Sequence, residues 1–567
     1  MTDRPTIQHP TEPADIDAYL ARFAWHPEPE LVAYRDEGAS RASMARLGER
    51  TWAAALDYIY GTAMDRAMGD PSAYAVARRR YYVPSGGAPA AAPQTPMRAD
   101  DVIAEFSARV AGGLMNSQHP RQFGYFTPPP LPMSIMGELL AQVTNQGVDV
   151  WHAGPVAAFV EEEVVRWLCD LIGYDAGSFG LLTSGGVMAN FMAMTMARDL
   201  HLGKLRGTAG PPRGGALDGA RVYTSDQTHF SIGRALDELG FPPDTLVVLP
   251  ADEAFRLRGD VVAEAVQRDR AAGLVPFAIA CVAGSTNTGS VDAVGELADV
   301  AAAEDLWLHV DAAYGGAARL SERDRDRVAD LDRADSVTVD PHKWFFQAYD
   351  IGGLLVRDRR ALLAVFGGRS PEYYRGGETA PASTPTPDYL RDGDAGAAHG
   401  DHGADHGDHG DPGDTVGDHG DHGDPGDPGD HLNFYKLSFE GTRRWRALKL
   451  WMTWKHLGTA GFGHLIEAND DLAAYLAARC AAADDLEALP EVPELSVVCF
   501  RHLVPGLTGA ALDAHQDHLQ AALEVSGDGW LTTTRLRGAT WLRAGIVNYL
   551  ATEDDIDQLL ATLRRLA

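Results

Sequence analysis

The chain has 567 residues, 45% of them apolar and 23% charged, enough to bury a large core without metal or disulfide staples. Its formal charge of −31, from 80 Asp and Glu against 49 Lys and Arg, argues against electrostatic binding of nucleic acid or of an anionic membrane. Cys169, Cys281, Cys480 and Cys499 lie far apart with no CxxC pair, against a disulfide framework or a spaced zinc site, and no apolar run reaches the ~18 residues of a membrane span.

The opening stretch MTDRPTIQHPTEPADID lacks the basic-then-apolar pattern of an export signal, so a cytoplasmic protein is expected. Helical patches follow at 16–23 and 51–68, and PSGGAPAAAPQTP (84–96) reads as a Pro/Ala/Gly linker. From about Asp100 the patterning is dense. GSFGLLTSGG (177–186) reads as a strand running into a helix over 187–201. RVYTSD (221–226) is a strand before a helix at 231–239, and DTLVVLP (244–250) a strand before a helix at 260–272. PFAIACVAG (276–284) is a buried strand leading to a helix at 294–304, and LWLHVDAAY (306–314), SVTVD (336–340) and IGGLLVRD (351–358) are three more strands. This alternation predicts an α/β domain on a mostly parallel sheet, and near-continuous apolar strands suit a sheet covered on both faces. Beyond Leu432 a smaller α+β unit opens with a helix over 441–457 and closes with one over 553–567.

The acidity is concentrated. Residues 392–430 hold twelve Asp, twelve Gly and six His with no Lys or Arg, and without them the net charge falls from −31 to −19. Such a tract cannot bury enough apolar area to offset its ordering entropy, which predicts a disordered loop. A calcium-binding β-roll would need an apolar position in each turn, and none is there. A His/Asp metal-binding tract and a plain solvated expansion both fit the composition, the second needing nothing further. No metal site is assigned.

Four loops at the expected carboxyl ends of strands hold unusual residues, where open α/β sheets gather ligands. Thr183-Ser184-Gly185-Gly186 lies between a strand and a helix, where small residues and a helix start suit a phosphate. It lacks the Lys of a P-loop and the spacing of a dinucleotide fingerprint. His229, in SDQTHFS, stands beyond a strand, where a lone His is more often structural. Asp311, in LHVDAAYGG, suits a helix cap, a metal or a heterocyclic nitrogen. Lys343, in VTVDPHKWFF, stands where desolvation would lower its pKa and make it nucleophilic, unless it snorkels to the surface. Together, a phosphate cup, a ring-stacking His, a carboxylate for a pyridine nitrogen and a Schiff-base Lys are the parts of a pyridoxal 5'-phosphate site.

DPHKW with HVDAAYGG resembles the group II pyridoxal-dependent decarboxylases, the family of aromatic amino acid, glutamate, cysteine sulfinate and diaminobutyrate decarboxylases. HPRQFGYF (119–126), TSGGVMAN (183–190), SDQTHFS (225–231), AGSTNTGSVD (283–292) and GTRRWRALKLW (441–451) extend the resemblance from about Asp100 to the C-terminus. It implies a fold-type I architecture: a large domain with a mostly parallel seven-stranded sheet flanked by helices, and a small C-terminal α+β domain. The expected division is an N-terminal segment over 1–98, a cofactor domain over 99–375 beginning with a family segment at 99–150, the expanded loop over 376–431, and the small domain over 432–567. Lys343 would carry the cofactor, Asp311 would pair with its ring nitrogen and His229 would stack on the ring. Ser184, Gly185, Gly186 and His342 would bind the phosphate, and Thr286 and Ala313 would line the ring. Tyr125 and Phe126 would shape the substrate pocket, and Trp344 would reach it from a partner subunit. Val187-Met188 replace a small-polar/Glu pair often found in the cup. The resemblance also implies a homodimer with active sites at the interface.

In the family, a Tyr on a mobile loop about thirty residues beyond the Lys delivers the final proton. That distance falls on SPEYYRGG, making Tyr373 the choice, with Tyr374 and Tyr389 as neighbours, and the acidic tract lies inside the same loop. The expected reaction is decarboxylation of an L-amino acid, aromatic favoured by DPHKW and Tyr125-Phe126. Arg121 is shared with branches that act on acidic substrates. Alternatives are an acidic or diamino substrate, another fold-type I activity such as an aminotransferase using Arg443, Arg444 or Arg446 for the substrate carboxylate, and a His/Asp-rich metal-binding protein with an inactive cofactor domain. Deleting 392–430 is expected to preserve turnover in a CO2-release assay; loss of most activity would place the tract in the catalytic machinery.

Overall fold

The computed structural model describes residues 37–61, 92–367 and 433–567, with a few further positions between 21 and 77. Tyr373, Tyr374, Tyr389 and the acidic tract lie outside the described residues.

The large sheet has seven strands: β1 (Phe179–Thr183), β2 (Ala220–Ser225), β3 (Leu246–Leu249), β4 (Val275–Val282), β5 (Trp307–Asp311), β6 (Ser336–Val339) and β7 (Gly352–Val356). Their spatial order is β1-β7-β6-β5-β4-β2-β3. β2 through β6 pair in parallel, whereas β7 runs antiparallel to both β1 and β6. The inner strands are buried along nearly their whole length, which is why FAIACV and GGLLV show no polar alternation; only edge strand β3 exposes a side chain, Val248. The helices include α1 (Glu37–Tyr60) and α2 (Pro132–Thr144) and, around the sheet, α3 (Pro155–Ile172), α4 (Gly186–Met196), α5 (Ser231–Glu238), α6 (Gly259–Ala271) and α7 (Val294–Ala303). α4, GVMANFMAMTM, is apolar on almost every face because it is buried against the sheet.

Helix α8 (Ala447–Ala481) bends at Gly458 (φ 65°) and passes from the large sheet to a second, four-stranded antiparallel one. Its strands are β8 (Leu486–Leu489), β9 (Val497–His502), β10 (Thr532–Leu536) and β11 (Ala539–Gly545), in the order β10-β11-β9-β8. The end of α8, α9 (Gly509–Ser526) and α10 (Glu553–Leu566) bury Leu476, Leu519, Leu523 and Leu559 against Val498, Phe500 and Leu542. Phe123, far away in sequence, completes that core, held by Phe123 N–H donating to Trp530 O at 2.9 Å. A reciprocal cap between Thr552 and Asp555 starts α10.

The helix expected to open at 441 begins only at Ala447. The reason is tertiary. Arg443, fully buried, donates to Val148 O (2.9 Å), Leu182 O (2.6 Å) and Glu161 Oε1 (2.5 Å), and Glu161 also accepts the Leu182 N–H. These bonds keep 441–446 out of the helix, with Arg444 bridged to Gly147. The same region brings the two flanks of the 368–432 segment together, since Phe366 and Phe439 meet edge to face at 4.9 Å. Arg443→Met alone leaves Glu161 as an unpaired buried charge at the end of β1. It is expected to cost about 3–5 kcal/mol, read as a lowered denaturant midpoint, while Glu161→Gln with Arg443→Met should recover part of the loss.

Candidate active site

Parallel pairing puts the carboxyl ends of β4, β5 and β6 side by side, with Asp311 in register with both Val282 and Thr338. The antiparallel β7 starts at the same edge, where Gly352 pairs with Thr183 at the end of β1. The loops leaving this edge enclose a cavity of about 390 Å³.

One wall is the helix start after β1. Thr183 Oγ1 accepts the Gly185 N–H (3.2 Å) and donates to Gly185 O (3.1 Å), a tight turn into α4. The first amides of a helix have no acceptor within it, so Gly186 and Val187 present donors and the positive helix end beside Ser184. The backbone crowds here. A Cβ on Gly352 would lie 2.5 Å from the Cα of Gly185, and one on Gly185 (φ 156°, ψ 176°) would lie 3.2 Å from His342 Cε1. His342 Nδ1 accepts the Ile351 N–H at 3.2 Å, and burial pushes its pKa down, so the neutral ring carries its hydrogen on Nε2.

Lys343 follows β6, and its Nζ is 3.1 Å from Asp340 Oδ2. Asp340 was not read from the sequence as a site residue, although it stands three positions before the Lys. Its Oδ1 is buried without a hydrogen-bond partner. Asp311 ends β5; its Oδ1 accepts the Ala313 N–H (3.1 Å) and its Oδ2 accepts from Asn190 Nδ2 (2.7 Å). Asn190 also escaped the sequence reading, its signal being one amide in an otherwise apolar helix. His229 sits between β2 and α5, its Nδ1 2.8 Å from Ser231 Oγ. Burial lowers its pKa more than the Asp311 charge raises it. Thr286 and Ala313 complete the lining.

The three residues expected at the substrate pocket do not line this cavity. Trp344 is fully buried, donating to Asn469 Oδ1 (3.0 Å) and stacked on Tyr314 at 4.8 Å, so it cannot reach a neighbouring subunit; an aromatic beside a reactive Lys is here an interior anchor. Phe126 lies beneath, stacked on Tyr314 at 4.1 Å, and Tyr125 is exposed, edge-on to Trp530. Nor do the three arginines expected on that helix line the cavity: Arg443 pairs with Glu161, Arg444 with Asp350, and Arg446 with Glu440. An arginine the sequence reading missed lies closer. Arg543, on β11, packs over Phe126 and donates to Thr286 O (2.6 Å) and Gly124 O (3.0 Å). Its Nη2 is buried with no partner, and burial pushes its pKa down.

The cavity fits pyridoxal phosphate on these observations. It is within the size range of small-molecule sites, its cup is kept open by glycines where a Cβ would clash, and it contains a lysine amine facing a carboxylate wall.

Residues 82–376 and 431–503 match the pyridoxal-dependent decarboxylase conserved domain. The chain is 30% identical to an aromatic-L-amino-acid decarboxylase of Bacillus atrophaeus over 79% of its own length and 81% of the relative's. It is 31% identical to an L-2,4-diaminobutyrate decarboxylase of Rhizobium meliloti, over 78% and 77%. Among solved structures, mouse CSAD superposes with a TM-score of 0.74 at 23% identity, covering 93% of this chain and 99% of that one. Oryza sativa TDC with PLP and tryptamine does so with 0.74 at 22% identity, covering 99% of each. The fold, the cavity and the conserved domain agree, and the chain belongs to the pyridoxal-dependent decarboxylase family as an amino acid decarboxylase.

Proposed function

We propose that the chain releases CO2 from an L-amino acid, aromatic by preference, with Lys343 carrying pyridoxal phosphate, Asp311 facing its ring nitrogen and His229 covering its ring. Ser184, Gly185, Gly186 and His342 take the phosphate, and Thr286 and Ala313 flank the ring. The observation that carries this reading is that three side chains delivered by three separate loops line one cavity with the helix-start cup.

When bound, the cofactor supplies a ring that accepts the electron pair left on carbon as CO2 departs. The Asp311 carboxylate, with both oxygens already hydrogen-bonded, keeps a proton on the nitrogen set against it. Asp340 Oδ2 holds the Lys343 ammonium whenever that amine is not engaged. His229 covers one face of the site and excludes water from it. Arg543, buried behind Thr286, holds the Thr286 and Gly124 carbonyls at the cavity's wall. Tyr373 gives the last proton to the product carbon.

The aromatic reading is supported by the Bacillus atrophaeus relative. The similar Rhizobium meliloti match supports a diamino substrate as the second reading. A homodimer with the sites at its interface is supported by exposed apolar side chains: Leu139 and Val143 of α2, Val156 and Phe159 of α3, and Phe230, which lines the cavity. Four free, buried cysteines support a reducing cytoplasm. Among the described residues no helix is long and apolar enough to cross a membrane.

Borohydride reduction followed by peptide mass spectrometry is expected to find pyridoxal phosphate on Lys343, and Lys343→Ala to lose both the adduct and CO2 release. An adduct on another lysine would overturn the assignment. Tyr373→Phe is expected to lower turnover about 10²- to 10⁴-fold with cofactor affinity unchanged; unaffected turnover would move the role to Tyr374 or Tyr389. In a CO2-release screen, kcat/KM is expected to be highest for aromatic L-amino acids, and a maximum at 2,4-diaminobutyrate or an acidic substrate would assign the chain to that branch instead.

A further inference from the structure

Behind the cavity wall, side chains of α4, α5, β5 and β6 form one hydrogen-bonded chain whose hydrogen positions are set by its ends. At one end is Asp311, its Oδ2 taking a hydrogen from Asn190 at 2.7 Å. A carboxylate only accepts, so the amide nitrogen of Asn190 faces it and the amide oxygen faces away. That oxygen takes the Thr338 hydroxyl (2.6 Å) and lies 3.0 Å from His309 Nε2, which must therefore carry a hydrogen. His309 is buried, which pushes its pKa down to about 4, so the ring is neutral and its Nδ1 bare. Nδ1 takes the Ser336 hydroxyl hydrogen (2.9 Å), and Ser336 Oγ takes the indole N–H of Trp307 (3.0 Å), a group that only donates.

The second hydrogen of Asn190 Nδ2 goes to Ser231 Oγ at 2.8 Å. Ser231's own hydrogen then passes to His229 Nδ1 (2.8 Å), which also faces the Ser231 backbone N–H at 3.4 Å. A neutral His229 is left with its hydrogen on Nε2. Asn190, Ser231, His309, Ser336 and Thr338 are all buried, so water cannot substitute for any link.

We propose that Asn190 is the positioning residue of this site: its single amide orients the Asp311 carboxylate and, through Ser231, sets the His229 ring with its N–H on Nε2 at the cavity. Every hydrogen-bonding position of the amide is used, and turning it over would set its oxygen against a carboxylate. The two side chains meant to flank the cofactor are therefore oriented before it arrives. What Asp311 and His229 meet rests on the pyridoxal phosphate reading; the chain itself belongs to the protein alone.

The test begins with cofactor-free protein labelled with ¹⁵N-histidine, its signals assigned by His229→Gln and His309→Gln. Both rings are expected as the Nε2–H tautomer, and Nδ1–H on either would overturn the proposal. Asn190→Leu keeps the volume and removes the amide. It is expected to release His229 from the Nε2–H state and to raise the pyridoxal phosphate Kd about tenfold or more. An unchanged tautomer with an unchanged Kd, the outcome for a residue that only packs, would overturn it. Ser231→Ala cuts only the His229 arm. It is expected to release that tautomer with a smaller rise in Kd than in Asn190→Leu, and an unaltered His229 would overturn the coupling. If Asn190→Leu does not fold, the native tautomers and Ser231→Ala still decide. A missing Lys343 adduct would leave these tautomers in place, so the cofactor reading and this one fail separately.

Discussion

A carboxylate cannot be left bare at the buried edge of a sheet, and much of this site follows from how Asp311 is kept there. Its backbone position comes from the register of β5 between β4 and β6, which aligns it with Val282 and Thr338. Its charge is met by two N–H donors, one from Ala313 in its own loop and one from Asn190 on the helix that also opens the phosphate cup. One buried acid thus ties three strands and a helix to a single geometry. The carboxylate and the helix start that line the cavity therefore cannot drift independently.

A second constraint is close backbone approach. β7 runs against its neighbours, so its first residue, Gly352, meets the end of β1 rather than lying at the far edge of the sheet. Only glycine at 352 and 185 lets the turn after β1 approach the Asp340–Lys343 loop closely enough for both to line one cavity. The buried Arg443–Glu161 pair holds the outer end of this arrangement, joining β1, α3 and the chain that returns after the acidic tract. The edge-to-face contact of Phe366 and Phe439 closes the flanks of that segment independently of what lies between them, which is how a long charged expansion is compatible with an ordered sheet.

Most strands and helices of the large unit were legible to within a few residues, because buried parallel strands and amphipathic crossovers are written in local patterning. The misread boundary, a helix expected from 441, failed where Arg443 finds partners hundreds of residues away and keeps the chain out of the helix. Among the residues that line the cavity, Lys343, Asp311, His229, His342 and the cup could be picked out because each follows an apolar strand and carries unusual chemistry. Asp340 was hidden in plain view beside Lys343. Asn190 and Arg543 were hidden because an amide in a helix and an arginine in a strand say nothing locally about what they face. Trp344 misled for the opposite reason: it neighbours the reactive lysine in sequence, yet its indole points into the core to Asn469.

By itself, then, the sequence determined the family and the order of its candidate residues: a cup at a helix start, a His, an Asp and a Lys, each after a strand. It also located the −31 charge, much of it in one tract apart from the patterned elements. Only the tertiary structure decided which of the polar residues share a cavity, which arginines are already paired, and which groups the histidine nitrogens face. Those outcomes depend on hydrogen bonds and ion pairs between residues distant in the chain, and the energy of such a bond depends on separation and burial in space, which local patterning does not encode.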